Sequence, residues 1–156
     1  MTSGTIATGQ LIYEVTLNFT KVTEYGVSME ALVSSQSAPP PEGARIDVAF
    51  DGSSSGPKLK GHVSGVDDIY ARADGRLQLH IHAEITTEDN EEIAFFADGV
   101  AIPEEGTGLF QLRENGTFTT SSPAYTWLNP LQIWAIGTVD PVKGQVNGKG
   151  MQLNGR

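Results

Sequence analysis

Residues 77–85 read LQLHIHAEI, and this stretch decides the fold class. Its odd-numbered residues are apolar and its even-numbered residues are polar. Because successive side chains of a β-strand point to opposite faces, the alternation predicts a strand with one buried face and one polar face. Residues 11–19, which read LIYEVTLNF, follow nearly the same pattern. Apolar residues at helical spacing are rare in the chain, so we expect an all-β protein.

Weaker strands are predicted around these two, over residues 27–33, 44–50, 58–63, 69–73, 92–97, 108–112, 116–120, 131–139 and 144–153. Residues that tolerate a positive φ separate apolar stretches and predict hairpin turns, at Asp51-Gly52, Asp74-Gly75, Glu88-Asp89-Asn90, Asp98-Gly99, Asn115-Gly116 and Asn147-Gly148. Many short strands without helices between them are typical of an antiparallel barrel or sandwich, and a closed barrel leaves no strand edge exposed. We therefore predict one domain over residues 1–156, a single antiparallel β-barrel of about eight to ten strands, with a flexible N-terminus over residues 1–8.

The composition argues against several classes of function. The chain of 156 residues carries 10 basic and 19 acidic side chains, a net charge of −9, and no cysteine. Nucleic acids and anionic membranes attract basic surfaces, so we expect neither as a partner. The lack of cysteine excludes disulfides, cysteine nucleophiles and thiolate metal sites. Residues 1–10 lack the basic and apolar regions of a secretory signal, so we expect a cytoplasmic protein.

His80, His82 and Glu84 alternate along the 77–85 strand and therefore share one face. Two imidazoles and a carboxylate can bind a metal, and His62 adds a third imidazole if its strand is adjacent. However, same-face neighbours on a strand lie about 7 Å apart, which is long for two ligands of one ion. A solvated outer face and a metal-free polar pocket are the favoured interpretations, and we expect no metal.

Two further charged positions are candidates for chemistry. Neighbouring strand residues point in opposite directions, so only one of the carboxylates Asp67 and Asp68 can face a pocket. Burial would raise the pKa of that carboxyl and suit it to proton transfer near neutral pH, whereas an acidic surface turn is the plainer interpretation. Arg45 would hold an anionic group of a ligand if it pointed inward, and would be an ordinary surface charge if it pointed outward.

Two groups of motifs resemble a known family. The first comprises Gly43-Ala44-Arg45, Gly52, GPKLKG at 56–61, Asp67, Asp74-Gly75 and Thr87-Glu88-Asp89, and the second runs from FTT at 118–120 to YTWLN at 125–129. Together they resemble domain-of-unknown-function family 3237, whose pattern is G-x-R, a glycine turn, G-P-x-L-x-G, Asp-Trp, T-x-D-G and F-E-T…Y-x-W-L-N. The resemblance covers about residues 9–140. The chain departs from the pattern at Asp68, Asn90 and Thr119, where the family has Trp, Gly and Glu.

The resemblance implies an antiparallel barrel similar to that of allene oxide cyclase, often dimeric, but it implies no reaction. In the second motif, Tyr125 and Trp127 share a face if the segment is a strand, with Asn129 on the same side. Two aromatic rings and an amide can form a pocket wall with one polar group. A core plug or a dimer contact is the alternative.

We expect a cofactor-independent enzyme that acts on a small, largely apolar molecule in the mouth of the barrel. The expected chemistry is isomerisation, cyclisation or elimination/hydration by acid/base catalysis. Asp67 is the expected acid or base, with His80 or His82 as the second choice. Arg45 is expected to be the electrostatic clamp. The expected substrate contacts are Tyr125, Trp127, Asn129 and Glu84.

Two other functions are compatible with the same residues. The main alternative is a non-catalytic barrel that binds small molecules as a carrier or sensor. The third is a purely structural barrel whose motifs maintain turns and a dimer contact. In each case we expect a homodimer.

Overall fold

Eight β-strands make up nearly all the regular structure of the computed structural model, which describes residues 8–34 and 38–153. They are β1 (Thr8–Glu24), β2 (Ala44–Pro57), β3 (Lys60–Ala71), β4 (Leu77–Thr87), β5 (Glu92–Pro103), β6 (Phe110–Thr119), β7 (Ile133–Asp140) and β8 (Gln145–Leu153). A short helix, α1 (Met29–Val33), lies between β1 and β2, and a 3₁₀ turn (Thr126–Leu128) lies between β6 and β7. Neither helix in these described residues has the length and hydropathy of a membrane-crossing segment.

Each strand pairs with the next one in antiparallel orientation, and β8 pairs with β1, which closes the barrel. In the closing pair, Leu17 lies opposite Val146 and Tyr13 lies opposite Gly150. The predicted antiparallel barrel is confirmed, with eight strands. The flexible N-terminus predicted over residues 1–8 lies outside the described residues except for Thr8, where β1 begins.

The alternation along β4 separates the inside of the barrel from the outside. Leu79, Ile81 and Ala83 are buried in the core, whereas His80 and His82 between them are exposed. Inward-facing apolar residues of the other strands continue this core around the barrel. Removing this apolar surface from water is the main favourable contribution to folding.

The prediction of a strand over residues 27–33 is wrong, because the segment contains α1. The Ser28 hydroxyl accepts a hydrogen bond from the Ala31 N–H at 3.1 Å. The Glu24 carboxylate accepts one from the Met29 N–H at 2.7 Å. These side chains satisfy N–H groups that the start of a helix leaves without intrahelical partners. Local capping thus overrides a weak apolar alternation.

Four of the six predicted turns lie inside strands, at Gly52, Gly99, Gly116 and Gly148. A Cβ at Gly52 would collide with the Thr16 carbonyl oxygen, and one at Gly116 would lie 2.6 Å from the Phe95 ring. These glycines therefore allow a close approach within a coiled sheet, where we expected a reversal of the chain. As a consequence, the strands predicted at 108–112 and 116–120 are one strand, β6. The strands predicted at 58–63 and 69–73 likewise overlap the two ends of a single strand, β3.

The two ends of the barrel differ. One end, called here the closed end, carries the β2–β3, β4–β5 and β6–β7 connections. Leu59 and Leu128 from these connections are 1% and 0% exposed, and the Lys58 and Leu59 N–H groups donate to the Ile12 carbonyl. The other end, called here the helix end, carries α1. The interior is therefore plugged at the closed end and covered by a short helix at the other.

Candidate functional site

The interior of the barrel, called here the lumen, contains a cavity of about 130 Å³. All eight strands contribute to its walls, and Met29 and Val33 of α1 contribute at the helix end. Nearly all of the lining side chains are apolar. The polar ones are Tyr13, Ser54, Asp67, Glu114 and Lys149. The site is therefore an apolar chamber with a few polar groups whose environments decide its chemistry.

Asp67 points into the lumen from β3, at a position in register with Ile81 of β4. One of its carboxylate oxygens accepts a hydrogen bond from the backbone N–H of His80 at 3.0 Å. Burial raises the pKa of Asp67 to about 7, although the hydrogen bond from His80 opposes the shift. Asp67 is therefore the pocket-facing carboxylate of the pair on a strand, and the plainer interpretation, an acidic surface turn, is wrong; its role as acid or base stays a prediction.

Glu114 points into the same lumen from β6. Within residues 8–34 and 38–153, no hydrogen-bond donor reaches its carboxylate. Burial raises its pKa to about 8, and the negative charge of Asp67 adds to the shift. The two carboxyl groups are thus close enough to influence each other, and Glu114 retains its proton at neutral pH.

Tyr13 completes the polar part of the lumen from β1. Its ring packs edge-on against Phe95 and Phe118, with centroid distances of 6.0 and 6.2 Å. Burial raises the pKa of the phenol, and the Glu114 carboxylate raises it further, so the hydroxyl stays protonated. The aromatic cluster therefore supports the lumen towards the closed end and offers one hydroxyl near Glu114.

The carboxyl pair can perform acid/base chemistry near neutral pH. The ionised form of Asp67 is stabilised by the His80 N–H and by the charge of His80, and an aspartate has a lower ordinary pKa than a glutamate, so Asp67 is the better candidate for the base of the pair. The ionised Asp67 can accept a proton while the neutral Glu114 can donate one. Among the described residues, no three His, Asp or Glu side chains come together as metal ligands.

Arg45 lies on the outside of the barrel, which corrects the expectation that it clamps a ligand inside. Its guanidinium contacts Asp47 at 2.9 Å and Asp68 at 3.4 Å, and it lies 5.4 Å from the centre of the Tyr25 ring. Its hydrogen bond holds the pKa of Asp47 below the usual value. Because Asp67 faces inward, its neighbour Asp68 faces outward and meets Arg45 there.

His80, His82 and Glu84 also lie on the outer face of β4, so their side chains do not line the lumen, although the charge of His80 opposes the rise in the pKa of Asp67. His82 lies against Phe96 of β5, with ring centroids 5.1 Å apart. The imidazole of His80 lies 3.2 Å from the Asp68 carbonyl oxygen. Only the backbone N–H of His80 takes part in the lumen, through its bond to Asp67. The inward positions of this strand are the apolar ones, which is the physical reason for the difference.

The YTWLN segment is a 3₁₀ turn rather than a strand, which corrects the pocket wall expected from Tyr125, Trp127 and Asn129. The Tyr125 hydroxyl donates to Asp89 at 2.7 Å. The Asn129 amide accepts from the Thr120 N–H at 2.9 Å and donates to the Thr120 carbonyl at 2.8 Å. Trp127 is 41% exposed, and none of the three lines the lumen. The bond from Tyr125 joins the β6–β7 and β4–β5 connections at the closed end, whereas those of Asn129 hold the β6–β7 connection together.

Glu114 and Tyr13 are candidate functional residues that the sequence analysis missed. Glu114 lies between the predicted strands 108–112 and 116–120, beside an Asn-Gly pair that we expected to be a turn. Once 110–118 is treated as one strand, its even positions read F, L, E, G, F, and the glutamate is a charged residue on an apolar face. That anomaly is the pattern by which it could have been found.

Comparisons with known proteins agree with the barrel. A family model described as "Protein of unknown function (DUF3237)" matches residues 18–149. No curated protein matches the chain significantly.

Several solved structures share the fold at low sequence identity. A protein of unknown function from Clostridium acetobutylicum has a TM-score of 0.74 and 20% identity, over 93% of this chain and 97% of that one. A beta-barrel like protein from Acinetobacter baumannii has a TM-score of 0.73 and 20% identity, over 98% and 99%. An enzyme from Penicillium herquei has a TM-score of 0.57 and 20% identity, over 96% and 99%. At these identities the likeness concerns the fold alone.

Proposed function

The chain belongs to the DUF3237 family of proteins of unknown function, and we propose that it is a cofactor-independent enzyme that performs acid/base chemistry in the lumen. The substrate class is a small, largely apolar molecule with a carbonyl or similar polar group. The reaction class is isomerisation, cyclisation or elimination/hydration. The observation that carries the proposal is the pair of inward carboxyl groups, Asp67 and Glu114, in a cavity with a mostly apolar lining.

The proposed step uses the two carboxyl groups in different protonation states. The Asp67 carboxylate removes a proton from the carbon next to the substrate carbonyl, while the Glu114 carboxylic acid donates a hydrogen bond to the carbonyl oxygen. Return of the proton to a different carbon completes an isomerisation, and loss of a β-substituent completes an elimination. The lining of the lumen is mostly apolar, and the low local dielectric strengthens both interactions.

A neighbouring structure gives the enzyme hypothesis additional, weaker support. The protein from Penicillium herquei that shares this fold is described as an enzyme. This shows that a barrel of this shape can host catalysis, but it says nothing of the substrate or residues in our chain.

The second candidate is a non-catalytic barrel that binds a small molecule, and the apolar character of the lumen favours it. Apolar walls with few polar groups are typical of a ligand site as well as of an active site. The two functions differ in outcome, because a carrier returns its ligand unchanged whereas an enzyme converts it. The homodimer and the cytoplasmic location expected from the sequence stay predictions.

We expect the purified protein to accelerate the conversion of cyclohex-3-enone to its conjugated isomer, followed by ultraviolet absorbance. Asp67→Asn should lower the rate by about 10²-fold or more, the usual contribution of a general base, and Glu114→Gln should lower it by about tenfold or more. Asp51→Asn and Glu88→Gln are matched controls, because both side chains are exposed on the outside.

Two results would count against the enzyme. One is a rate with the wild type that does not exceed the rate in buffer. The other is full turnover by both lumen variants. Binding of the ketone without conversion would favour the carrier.

A further inference from the structure

The lumen holds acidic groups without a matching cation. Asp67 and Glu114 face it from β3 and β6, and Tyr13 faces it from β1. Among the described lining residues the one basic side chain is Lys149 of β8, whose ammonium group is paired with Glu14 on the outer surface at 3.3 Å. Any negative charge on a ligand would therefore meet like charge and lose its hydration without a compensating partner.

Glu114 presents an unpartnered carboxyl group to the lumen. No donor or acceptor in the described residues bonds to its carboxyl group, although that group is enclosed by the barrel. The neighbouring strands β5 and β7 present Ala97, Gly99 and Ala135 towards it, and none of these titrates. A neutral carboxylic acid in this position has one hydrogen-bond donor to offer, which calls for one acceptor on the ligand.

The size of the cavity limits the ligand further. An apolar cavity of about 150 Å³ accepts a benzene ring. The lumen, at about 130 Å³, has room for a single five- or six-membered ring or a short chain of similar volume.

We propose that the lumen selects an uncharged cyclic molecule that carries one hydrogen-bond acceptor, which binds the Glu114 carboxylic acid, and that it rejects carboxylates of the same size. The inference rests on the proposed function, because it defines the substrate class of the same site. Uncharged ketones fit this class, whereas keto acids and other anionic metabolites do not. The acid of Glu114 thus acts in recognition as well as in the proposed reaction.

Equilibrium binding of two probes tests the selectivity. Cyclopentanone and cyclopropanecarboxylate, which have equal numbers of non-hydrogen atoms, are titrated at pH 7, with the methyl resonances of the lumen Ile, Leu and Val residues observed by NMR. We expect the carboxylate to bind at least about 100-fold more weakly than the ketone, because burying an unpaired charge is costly. Binding of the two probes within about tenfold of each other would overturn the proposal.

Two variants of one residue test the role of Glu114. Glu114→Gln keeps an N–H donor and should preserve ketone binding, whereas Glu114→Met has no donor and should weaken it by about tenfold. In the wild type, ketone binding should weaken between pH 6 and pH 10 as Glu114 loses its proton, and in Glu114→Gln most of this change should disappear. Equal affinities of the wild type and Glu114→Met would overturn the assignment. The wild-type pH series needs no variant and therefore covers the case in which Glu114→Met fails to fold.

This experiment separates the inference from the proposed enzyme, since it measures binding and not turnover. Selective ketone binding without conversion of cyclohex-3-enone would leave the inference standing and remove the enzyme. Conversion of cyclohex-3-enone, together with binding of the carboxylate as tight as that of the ketone, would support the enzyme and remove the inference. If the ketone does not bind in the lumen, both fail.

Discussion

Glu84 and Glu114 are both glutamates on strands, yet the barrel gives them opposite environments. Glu84 lies on the outer face of β4 in contact with water, whereas Glu114 faces the lumen from β6. The same difference separates the adjacent residues Asp67 and Asp68, of which one is enclosed and the other meets Arg45. At the scale of single residues, the direction of the side chain decides whether a carboxyl group is a surface charge or a proton-transfer group.

We expect Glu114→Gln to change how stability depends on pH. The folded-state pKa of about 8 lies above the ordinary value of 4.5, so the folded state holds a proton that the unfolded state has already lost between these values. The wild type therefore loses stability as the pH rises from about 5 to about 9, by an amount on the order of a few kcal/mol from this group. Glutamine does not titrate, so in Glu114→Gln this contribution to the loss of stability should be absent.

Urea unfolding of both proteins at pH 5 and pH 9 measures this effect. Glu88→Gln provides the control, because it also removes one carboxylate from the protein, but at an exposed position outside the lumen. The interpretation fails if the pH dependence of the free energy of unfolding is the same in the wild type and in Glu114→Gln.

At the scale of elements, three of the family motifs, GPKLKG, Thr87-Glu88-Asp89 and YTWLN, lie in connections at the closed end, whereas the motif residue Asp67 lines the lumen. The GPKLKG run forms the β2–β3 turn, with Leu59 inserted into the core. Asp89 in the β4–β5 turn accepts hydrogen bonds from Thr87 at 2.5 Å and from Tyr125 at 2.7 Å. Asn90, which departs from the family's glycine, has a φ of 65°, a conformation that Asn tolerates better than most residues.

We expect Asn129→Ala to destabilise the barrel by about 1–3 kcal/mol. Its amide makes two hydrogen bonds to the backbone of Thr120, and alanine would leave that partly buried N–H and carbonyl group without partners. Thermal or urea unfolding gives the change. Asn18→Ala is the control, because Asn18 is exposed on β1, and a similar loss in both variants would contradict the structural role of Asn129.

The elements themselves were largely predictable from local pattern, with two kinds of error. The strand over 77–85 and that over 11–19 lie within β4 and β1, because alternation is strong there. Asp-Gly and Asn-Gly pairs misled the prediction, since glycine serves close approach between strands as readily as it serves a turn. The helix α1 was missed because its start depends on two capping side chains rather than on an apolar period.

At the scale of the whole molecule, closure is a collective property of eight strands. β1 and β8 lie at opposite ends of the described sequence and are neighbours in the barrel, with Thr8 opposite Leu153. Without β8, both β1 and β7 would expose an unpaired edge, which is a template for association with other chains. The last strand is therefore as necessary to the lumen as those that carry its carboxyl groups.

We expect a circular permutant to fold and a β8 deletion not to fold. The permutant joins the chain ends by a Gly/Ser linker and opens the chain between Gly75 and Arg76, in the exposed β3–β4 turn. It preserves every strand pair, whereas removal of residues 145–156 destroys two interfaces. Circular dichroism melting and size-exclusion chromatography compare the two with the full chain. A monomeric, cooperatively melting deletion variant would refute the dependence on closure.

The sequence by itself determined the fold class and which residues share a face, because alternation along a strand is a local property of the chain. It also identified Asp67 as a carboxylate able to face a pocket. Only the tertiary structure decided which face is inside, because inside and outside exist once the first and last strands pair. In the closed barrel, Arg45 and the histidines of β4 lie on the outside, and Glu114 faces the same lumen as Asp67. The glycines that resemble turn residues lie where neighbouring strands approach closely.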